Sequence, residues 1–229
     1  MMAFPGWLNN IDTQFFLSVN GCHSKYFDAF FTLFTNMVTW IPFYLLILYL
    51  IIKKYNQHGF WVVLFLIASL VLSDQLSVLI KVLVERLRPS HEPLLLGKVN
   101  LPVGEGGMYG FVSSHAANVF AFTVLLGSLA KNRRLVALLV GWSLVTIYSR
   151  VYVGVHYPLD VFCGSLLGIL VGWGMYKLLM WFDFRFQGKK IFYSGHWKDN
   201  EVKPALMAML FIVVTLLLVS RLIVRYYIQ

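Results

Sequence analysis

Long runs of apolar residues separated by polar turns dominate the chain. A helix needs roughly 20 residues to cross a hydrocarbon core about 30 Å thick. Six runs approach that length, and they cover residues 30–52, 60–80, 112–130, 135–152, 159–182 and 205–224. The pattern therefore predicts an all-α integral membrane protein, built as a bundle of six transmembrane helices. Most turns between the runs are short, but residues 89–111 and 183–204 form long connections.

Ahead of the first run, apolar residues recur three or four positions apart, with polar residues between them. The apolar set is Trp7, Leu8, Ile11, Phe15 and Val19. This spacing predicts an amphipathic helix within residues 1–25. Two placements fit it: along the membrane surface, or packed against the bundle. The first ten residues lack a basic stretch followed by an apolar one, so we expect no cleaved signal peptide and expect the first transmembrane helix to direct targeting.

Composition supports a membrane protein that forms a single domain over residues 1–229. Hydrophobic residues make up 59% of the chain and charged residues only 13%, with a mean hydropathy of +0.72. Soluble domains carry about a quarter charged residues. The seven Trp and twelve Tyr suit a protein that crosses two lipid–water interfaces. Cys22 and Cys163 are too few for a disulfide framework.

The formal charge of +9 first suggests a nucleic-acid partner. Nucleic-acid binders, however, gather their basic residues on a solvated face or tail, whereas here they occupy short loops, so we expect no nucleic acid. Connections on one side of the predicted bundle contain ten of them: Lys53, Lys54, Lys131, Arg133, Arg134, Arg185, Lys189, Lys190, Lys198 and Lys203. The positive-inside rule makes that side cytoplasmic in the plasma (inner) membrane. The N-terminus, the 89–111 loop and the 153–158 turn then face the periplasm or cell exterior.

Three polar clusters fall at predicted helix ends on this outer side. The first is Lys81 followed by Arg88 and Pro89. Seven residues are close to two helical turns, so the pattern predicts both cations on one helix face, with Pro89 ending the helix. Taken alone, the pair is equally typical of lysine and arginine side chains that reach for the membrane interface.

The second cluster, Ser113, Ser114 and His115, begins the third predicted helix. Serine caps helix starts, and the free N–H groups of a first turn attract anions. Asn118 lies one turn further on, where it either supports His115 or packs between helices.

The third cluster contains Ser149 and Arg150, then His156 and, four residues later, Asp160. Pro158 suits the first turn of a helix, which places Asp160 near His156. A carboxylate bonded to one imidazole nitrogen leaves the other nitrogen free to attack, as in hydrolase triads.

Together the clusters provide cations, two histidines, one carboxylate and hydroxyl donors. Fixed Lys and Arg donors stabilise the charge that spreads over a transferring phosphoryl group. His115, His156 and Asp160 are also zinc-ligand types, but cations beside them disfavour a metal. We therefore expect phosphoryl chemistry without metal or other cofactor.

These motifs resemble those of the type 2 phosphatidic acid phosphatase family, whose membrane members share a fold with soluble vanadium haloperoxidases. Lys81 to Pro89 matches its first signature (Lys, six residues, Arg-Pro), and Ser149 to Asp160 matches its third (Ser-Arg, five residues, His, three residues, Asp). The second signature, Pro-Ser-Gly-His, is imperfect, because Val112 replaces Pro and Ser114 replaces Gly. The motifs span residues 81–160.

The resemblance implies a role for each matching residue. His156 would attack phosphorus, Asp160 would orient it, and His115 would protonate the departing oxygen. The phosphate would be held by Lys81, Arg88, Ser113, Ser114 and Arg150. The substrate class would be a phosphorylated lipid within the bilayer.

The motifs recognise phosphate and do not rank the lipids. An outward site fits both undecaprenyl diphosphate and lipid A, and undecaprenyl diphosphate is slightly favoured, with lipid A, phosphatidylglycerophosphate and phosphatidic acid as alternatives. A non-catalytic anion transporter is the alternative of another class, since charged residues within membranes also mark transport pathways. The 89–111 loop fits either a lid or a spacer. Asp74, within the second run, fits either a pair with an active-site cation or a contact with a neighbouring helix.

Overall fold

The computed structural model describes residues 5–187, 191–192 and 196–227. Within these ranges the chain is helical between its loops, and its one β-type pairing is an isolated bridge between Leu87 and Tyr109. The helices are α1 Gly6–Asn20, α2 Lys25–Thr35, α3 Ile41–Tyr55, α4 Gly59–Val84, α5 Ser114–Ala130, α6 Arg133–Tyr152, α7 Pro158–Phe182 and α8 Asp199–Tyr227. Lys189 and Lys190, which we assigned to the cytoplasmic side, lie outside the described residues.

Four segments of the described chain are long and apolar enough to cross a membrane: Met37–Val84, Arg133–Tyr152, Pro158–Phe186 and Asp199–Tyr226. The first contains both α3 and α4, joined by a short 3-10 turn at Asn56–His58. Helix α5 is apolar but shorter. The prediction of an all-helical membrane protein is therefore confirmed.

The prediction of one continuous helix over residues 30–52 is wrong. Helix α2 ends at Thr35, and Asn36 is extended, with φ −75° and ψ 126°. The Asn36 side chain accepts a hydrogen bond from the Val38 N–H and so begins a separate 3-10 turn, Met37–Trp40. Asparagine favours such local side-chain capping over an uninterrupted helix. Hydrophobic periodicity alone does not detect this break.

Helix α5 lies at the centre, packed against α4, α6 and α7. Its closest neighbour is α7, which presents one glycine per helical turn: Gly164, Gly168 and Gly172. A Cβ atom at any of them would lie no farther than 2.5 Å from a backbone oxygen of α5 or its cap. Small residues at this spacing let two membrane helices meet backbone to backbone. The contact brings the N-terminal ends of α5 and α7 together.

Helix α1 packs against α6 and α7. Its buried residues include Asp12 and Asn20, whereas Trp7, Ile11 and Phe15 are 58–66% exposed. Asp12, Phe16 and Asn20 therefore form the inward face of α1, and the apolar residues Trp7, Ile11 and Phe15 face outward together with most of the polar ones. Asn20 also fixes the 89–111 loop, since it exchanges two hydrogen bonds of 2.9 Å with the backbone of Asn100.

Candidate active site

The first two clusters meet where the end of α4 lies beside the start of α5. The Lys81 ammonium donates to the Ser114 hydroxyl at 2.6 Å. The Ser114 hydroxyl also lies 2.6 Å from that of Ser77, one turn before Lys81 on α4. Lys81 and Ser114 are thus in direct contact although they are 33 positions apart in the chain. The packing of α4 against α5 fixes the position of the lysine.

Arg88 is not on the same helix as Lys81, so the prediction that both cations share one helix face is wrong. Helix α4 ends at Val84, because Glu85 adopts a left-handed conformation (φ 53°, ψ 31°). Arg88 follows in extended backbone. Its N–H donates to the carbonyl of Met108 at 3.0 Å, and its Nε donates to the carbonyl of Tyr109 at 3.2 Å. The 89–111 loop therefore folds back to hold Arg88, and Pro89 lies beyond the helix end.

His156 and Asp160 lie at the start of α7, as the spacing predicts. His156 is only 2% exposed and Asp160 is fully buried. The His156 Nδ1 is 3.4 Å from one Asp160 oxygen, which also accepts the Tyr157 N–H at 3.0 Å. With Nδ1 turned to the carboxylate, Nε2 is the ring nitrogen left for chemistry. Residue 110, which lies beside this pair, must be a glycine, since a Cβ atom there would lie 2.8 Å from the Asp160 carboxylate.

The environment of His156 keeps its imidazole neutral. Burial lowers the pKa of His156 well below its usual range, and the nearby Arg88 and Arg150 lower it further. Both effects disfavour the imidazolium form. A neutral imidazole retains the lone pair that nucleophilic attack requires.

Ser113 and His115 sit differently on the first turn of α5. Ser113 is fully buried; its hydroxyl accepts the Ala116 N–H and its own N–H donates to the Asp160 carbonyl at 2.9 Å. Ser113 thus caps α5 and ties it to α7. The side chain of His115 is exposed, in contrast to that of His156. Asn118 accepts a 2.5 Å hydrogen bond from Ser73 of α4, so it packs between helices.

Arg150 is the most unusual cation of the site. It is 9% exposed, and one of its terminal nitrogens donates to the Thr35 hydroxyl at 2.7 Å. Its Nε is buried and has no hydrogen-bond partner. In the described part of the chain, none of Lys81, Arg88 and Arg150 forms an ion pair. Arg150 is thus a buried cation without an ion pair, which is a costly arrangement, so this region is electrostatically suited to receive an anion.

This unbalanced charge predicts opposite effects of Arg150→Met on stability and on activity. Replacing an unpaired buried charge by an apolar side chain removes its desolvation cost, so the melting temperature in detergent should rise. Loss of one positioned donor should lower phosphate release by about 10²- to 10³-fold. Inorganic phosphate should raise the melting temperature of the wild type and leave that of the variant unchanged.

Arg134→Met is the matched control, because Arg134 forms an exposed ion pair with Asp199 in a different part of the bundle. It should alter neither property. A lower melting temperature for Arg150→Met, with phosphate stabilisation retained, would contradict an anion-binding role.

Arg86 is a site residue that sequence reasoning did not identify. Arg86 is 8% exposed and forms two ion pairs, at 2.8 Å to Asp160 and at 2.6 Å to Asp12. It therefore contacts the carboxylate that lies against His156. In the sequence, only the position of Arg86 between Lys81 and Arg88 indicated that it belongs to the site. The Asp74 carboxylate, in contrast, accepts a 3.4 Å hydrogen bond from its neighbour Gln75, and its charge also acts on Lys81 without forming an ion pair among the described residues.

No group of three or more His, Cys, Asp or Glu side chains within residues 5–187, 191–192 and 196–227 is arranged to hold a metal ion. His156 and Asp160 instead face each other and the surrounding arginines.

Comparison with known proteins places this site in a family. The model of the PAP2 superfamily matches residues 62–184. The chain is similar to lipid A 4'-phosphatases of Bacteroides thetaiotaomicron (37% identity, 74% of this chain and 77% of the relative) and Porphyromonas gingivalis (31%, 80% and 78%). It is also similar to an undecaprenyl-diphosphatase of Sulfolobus acidocaldarius (31%, 61% and 63%). Among solved structures, Aquifex aeolicus LpxE has a TM-score of 0.59 and 29% identity, covering 72% of this chain and 94% of that one.

The chain belongs to the PAP2 superfamily, as its motifs predicted. It is a membrane-embedded phosphatase that acts on lipid phosphates. This membership favours the enzyme over the anion transporter.

Proposed function

We propose that the protein removes a phosphate from lipid A through a phosphohistidine on His156. The observation that carries this proposal is the arrangement around that residue: a buried neutral imidazole lies among Lys81, Arg88 and Arg150, three cations that form no ion pair in the described chain. A phosphate group supplies the charge that this pocket lacks. The cations, with Ser114 and the first-turn N–H groups of α5, hold its oxygens.

In the first step, the His156 Nε2 forms a bond to phosphorus while the bond from phosphorus to the lipid oxygen breaks. His115, which is exposed beside the pocket, gives its proton to that oxygen. Asp160 orients His156 and stabilises its positive charge. In the second step, water attacks the phosphohistidine, His115 accepts the proton of the water, and inorganic phosphate leaves. His115 and His156 return to their starting states.

The choice of lipid A rests on the relatives. Both lipid A 4'-phosphatases share more of this chain than the undecaprenyl-diphosphatase does, and one shares it at higher identity. The comparisons therefore back lipid A, held as an alternative in the sequence analysis, better than the prenyl carrier that it favoured. Undecaprenyl diphosphate stays the second candidate because a relative with that named activity is also similar. Phosphate removal at the 4' position follows the same relatives.

We further propose that residues 1–229 form one domain in the plasma membrane, with α3 to α8 as six transmembrane helices and α1 as an amphipathic helix. The distribution of basic residues supports a pocket that opens toward the periplasm or cell exterior.

The test is phosphate release by purified wild type in EDTA, measured on lipid A, undecaprenyl diphosphate, phosphatidylglycerophosphate and phosphatidic acid. We expect the highest kcat/KM on lipid A and no effect of the chelator, because side chains alone provide the positive charge. Mass spectrometry of the product should show loss of one phosphate at the 4' position.

Preferred turnover of undecaprenyl diphosphate would overturn the choice of lipid but leave the phosphohistidine intact. Loss of all turnover in EDTA, restored by a divalent cation, would overturn the chemistry.

A further inference from the structure

Helix α1 supplies a buried carboxylate to the network behind His156. Arg86 donates through one terminal nitrogen to Asp160 at 2.8 Å and through the other to Asp12 of α1 at 2.6 Å. The second nitrogen also donates to the side-chain oxygen of Asn9 at 3.0 Å. Asp12 is 5% exposed and Arg86 is 8% exposed, so water screens this ion pair little.

Asp12 has a second contact at the same place. Its other carboxylate oxygen accepts the N–H of Leu159 at 2.9 Å, in the first turn of α7. Leu159 lies between His156 and Asp160 in the chain. The Arg86 guanidinium also lies 4.2 Å from the centre of the ring of Tyr157, which is the residue that caps α7. The Asp12 carboxylate therefore holds the Arg86 side chain, which binds Asp160. It also holds the backbone of Leu159, which lies between His156 and Asp160 in the chain.

The two oxygens of Asp160 are divided between partners. One faces Arg86, and the other faces His156 and the Tyr157 N–H. This division depends on where the guanidinium sits, and Asp12 fixes the guanidinium from the opposite side. Loss of the Asp12 charge removes one of the two carboxylates that hold Arg86, so the guanidinium shifts toward Asp160 and draws that carboxylate away from the imidazole.

We propose that Asp12 is a positioning residue for the phosphatase reaction, acting through Arg86 on Asp160 and His156. The inference rests on the proposed function and extends it to α1, which lies outside the region of the family match. Helix α1 is then part of the catalytic apparatus, although none of its residues touches the reacting phosphate.

The first test is Asp12→Asn, which keeps an oxygen for the Leu159 N–H but removes the charge that faces Arg86. We expect kcat to fall by about 10- to 100-fold, comparable with the loss when a hydrogen-bond partner behind a metal-binding histidine is changed. KM and inhibition by inorganic phosphate should change less than about twofold, because Lys81, Arg88 and Arg150 are untouched. A simple loss of folded protein would instead lower the active fraction and the melting temperature together.

Glu201→Gln is the matched control. It makes the same change from carboxylate to amide within an ion pair, here with Lys54 at 2.9 Å. This pair joins the end of α3 to the start of α8, away from the clusters at the end of α4 and the start of α7. We expect kcat unchanged.

The decisive variant moves the charge by one helical turn. Asn9 is exposed and already contacts Arg86, so Asn9→Asp combined with Asp12→Asn returns a carboxylate to the guanidinium. We expect this double variant to recover most of the lost kcat. If Asp12→Asn alone does not fold, the double variant decides by itself: near-wild-type kcat supports the proposal, and a folded protein with low kcat overturns it.

Wild type and His156→Ala are measured in the same assay. An unchanged kcat for Asp12→Asn, together with an inactive His156→Ala, would overturn only the role of Asp12. Equal turnover by wild type and His156→Ala would overturn the proposed function itself.

Discussion

His156→Ala should abolish phosphate release, with kcat lowered by about 10⁴-fold or more, because the variant lacks the atom that forms the bond to phosphorus. The residue lies in the turn before α7 and contacts Asp160, so its truncation should leave the helices in place. Rapid quenching of the wild type during turnover should reveal acid-labile phosphate on this histidine. The variant should show none.

His58→Ala is the matched control, since His58 lies in the turn between α3 and α4, away from the motifs. It should retain full activity. Substantial turnover by folded His156→Ala, or labelling of another residue, would disprove the nucleophile.

His115→Ala should lower release from a lipid phosphate by about 10²- to 10⁴-fold, the range expected when a general acid is removed. An alkoxide is a poor leaving group, and in the proposed mechanism His115 provides its proton. The loss should be at least about 10-fold smaller with para-nitrophenyl phosphate, because nitrophenolate leaves without protonation. Comparing kcat/KM for the two substrates, in wild type and variant, isolates the protonation step.

Because His115 is exposed, its replacement by alanine should leave the protein folded, and a folding defect would not account for such a loss. If His115→Ala loses the same factor on both substrates, the residue does not act as the acid for the leaving group. Its contribution would then lie in binding or in hydrolysis of the phosphohistidine.

Local sequence was sufficient to predict the His156–Asp160 pair and the helix start at Ser113. Both depend on contacts within a single turn, where spacing translates directly into distance. The clusters could also be predicted to share one side of the membrane, because each apolar run long enough to span the bilayer brings the chain to the opposite face. Family membership followed from the same motifs.

What depends on distant partners was not predictable from spacing. The role of Arg86 requires Asp12, 74 residues earlier, and its neighbour Arg88 was misplaced because Glu85 ends α4 before Pro89. The burial of Asp12 on α1 also follows from this pairing. In a membrane protein, apolar residues can face lipid and polar ones the interior, so periodicity identifies the helix but not the direction it faces.

The glycine contact between α5 and α7 has a consequence for how the site tolerates its surroundings. His115 and His156 are 41 residues apart, yet their relative position is set where the backbones of Gly164 and Gly168 meet the carbonyls beneath Ser113 and Ala117. Such a contact contains no rotamers that a change of temperature or detergent could rearrange. The spacing of the backbone at His115 and His156 thus depends on main-chain geometry. Substitutions on the outer faces of the bundle can therefore adapt the enzyme to a different bilayer without displacing the backbone that carries the two histidines.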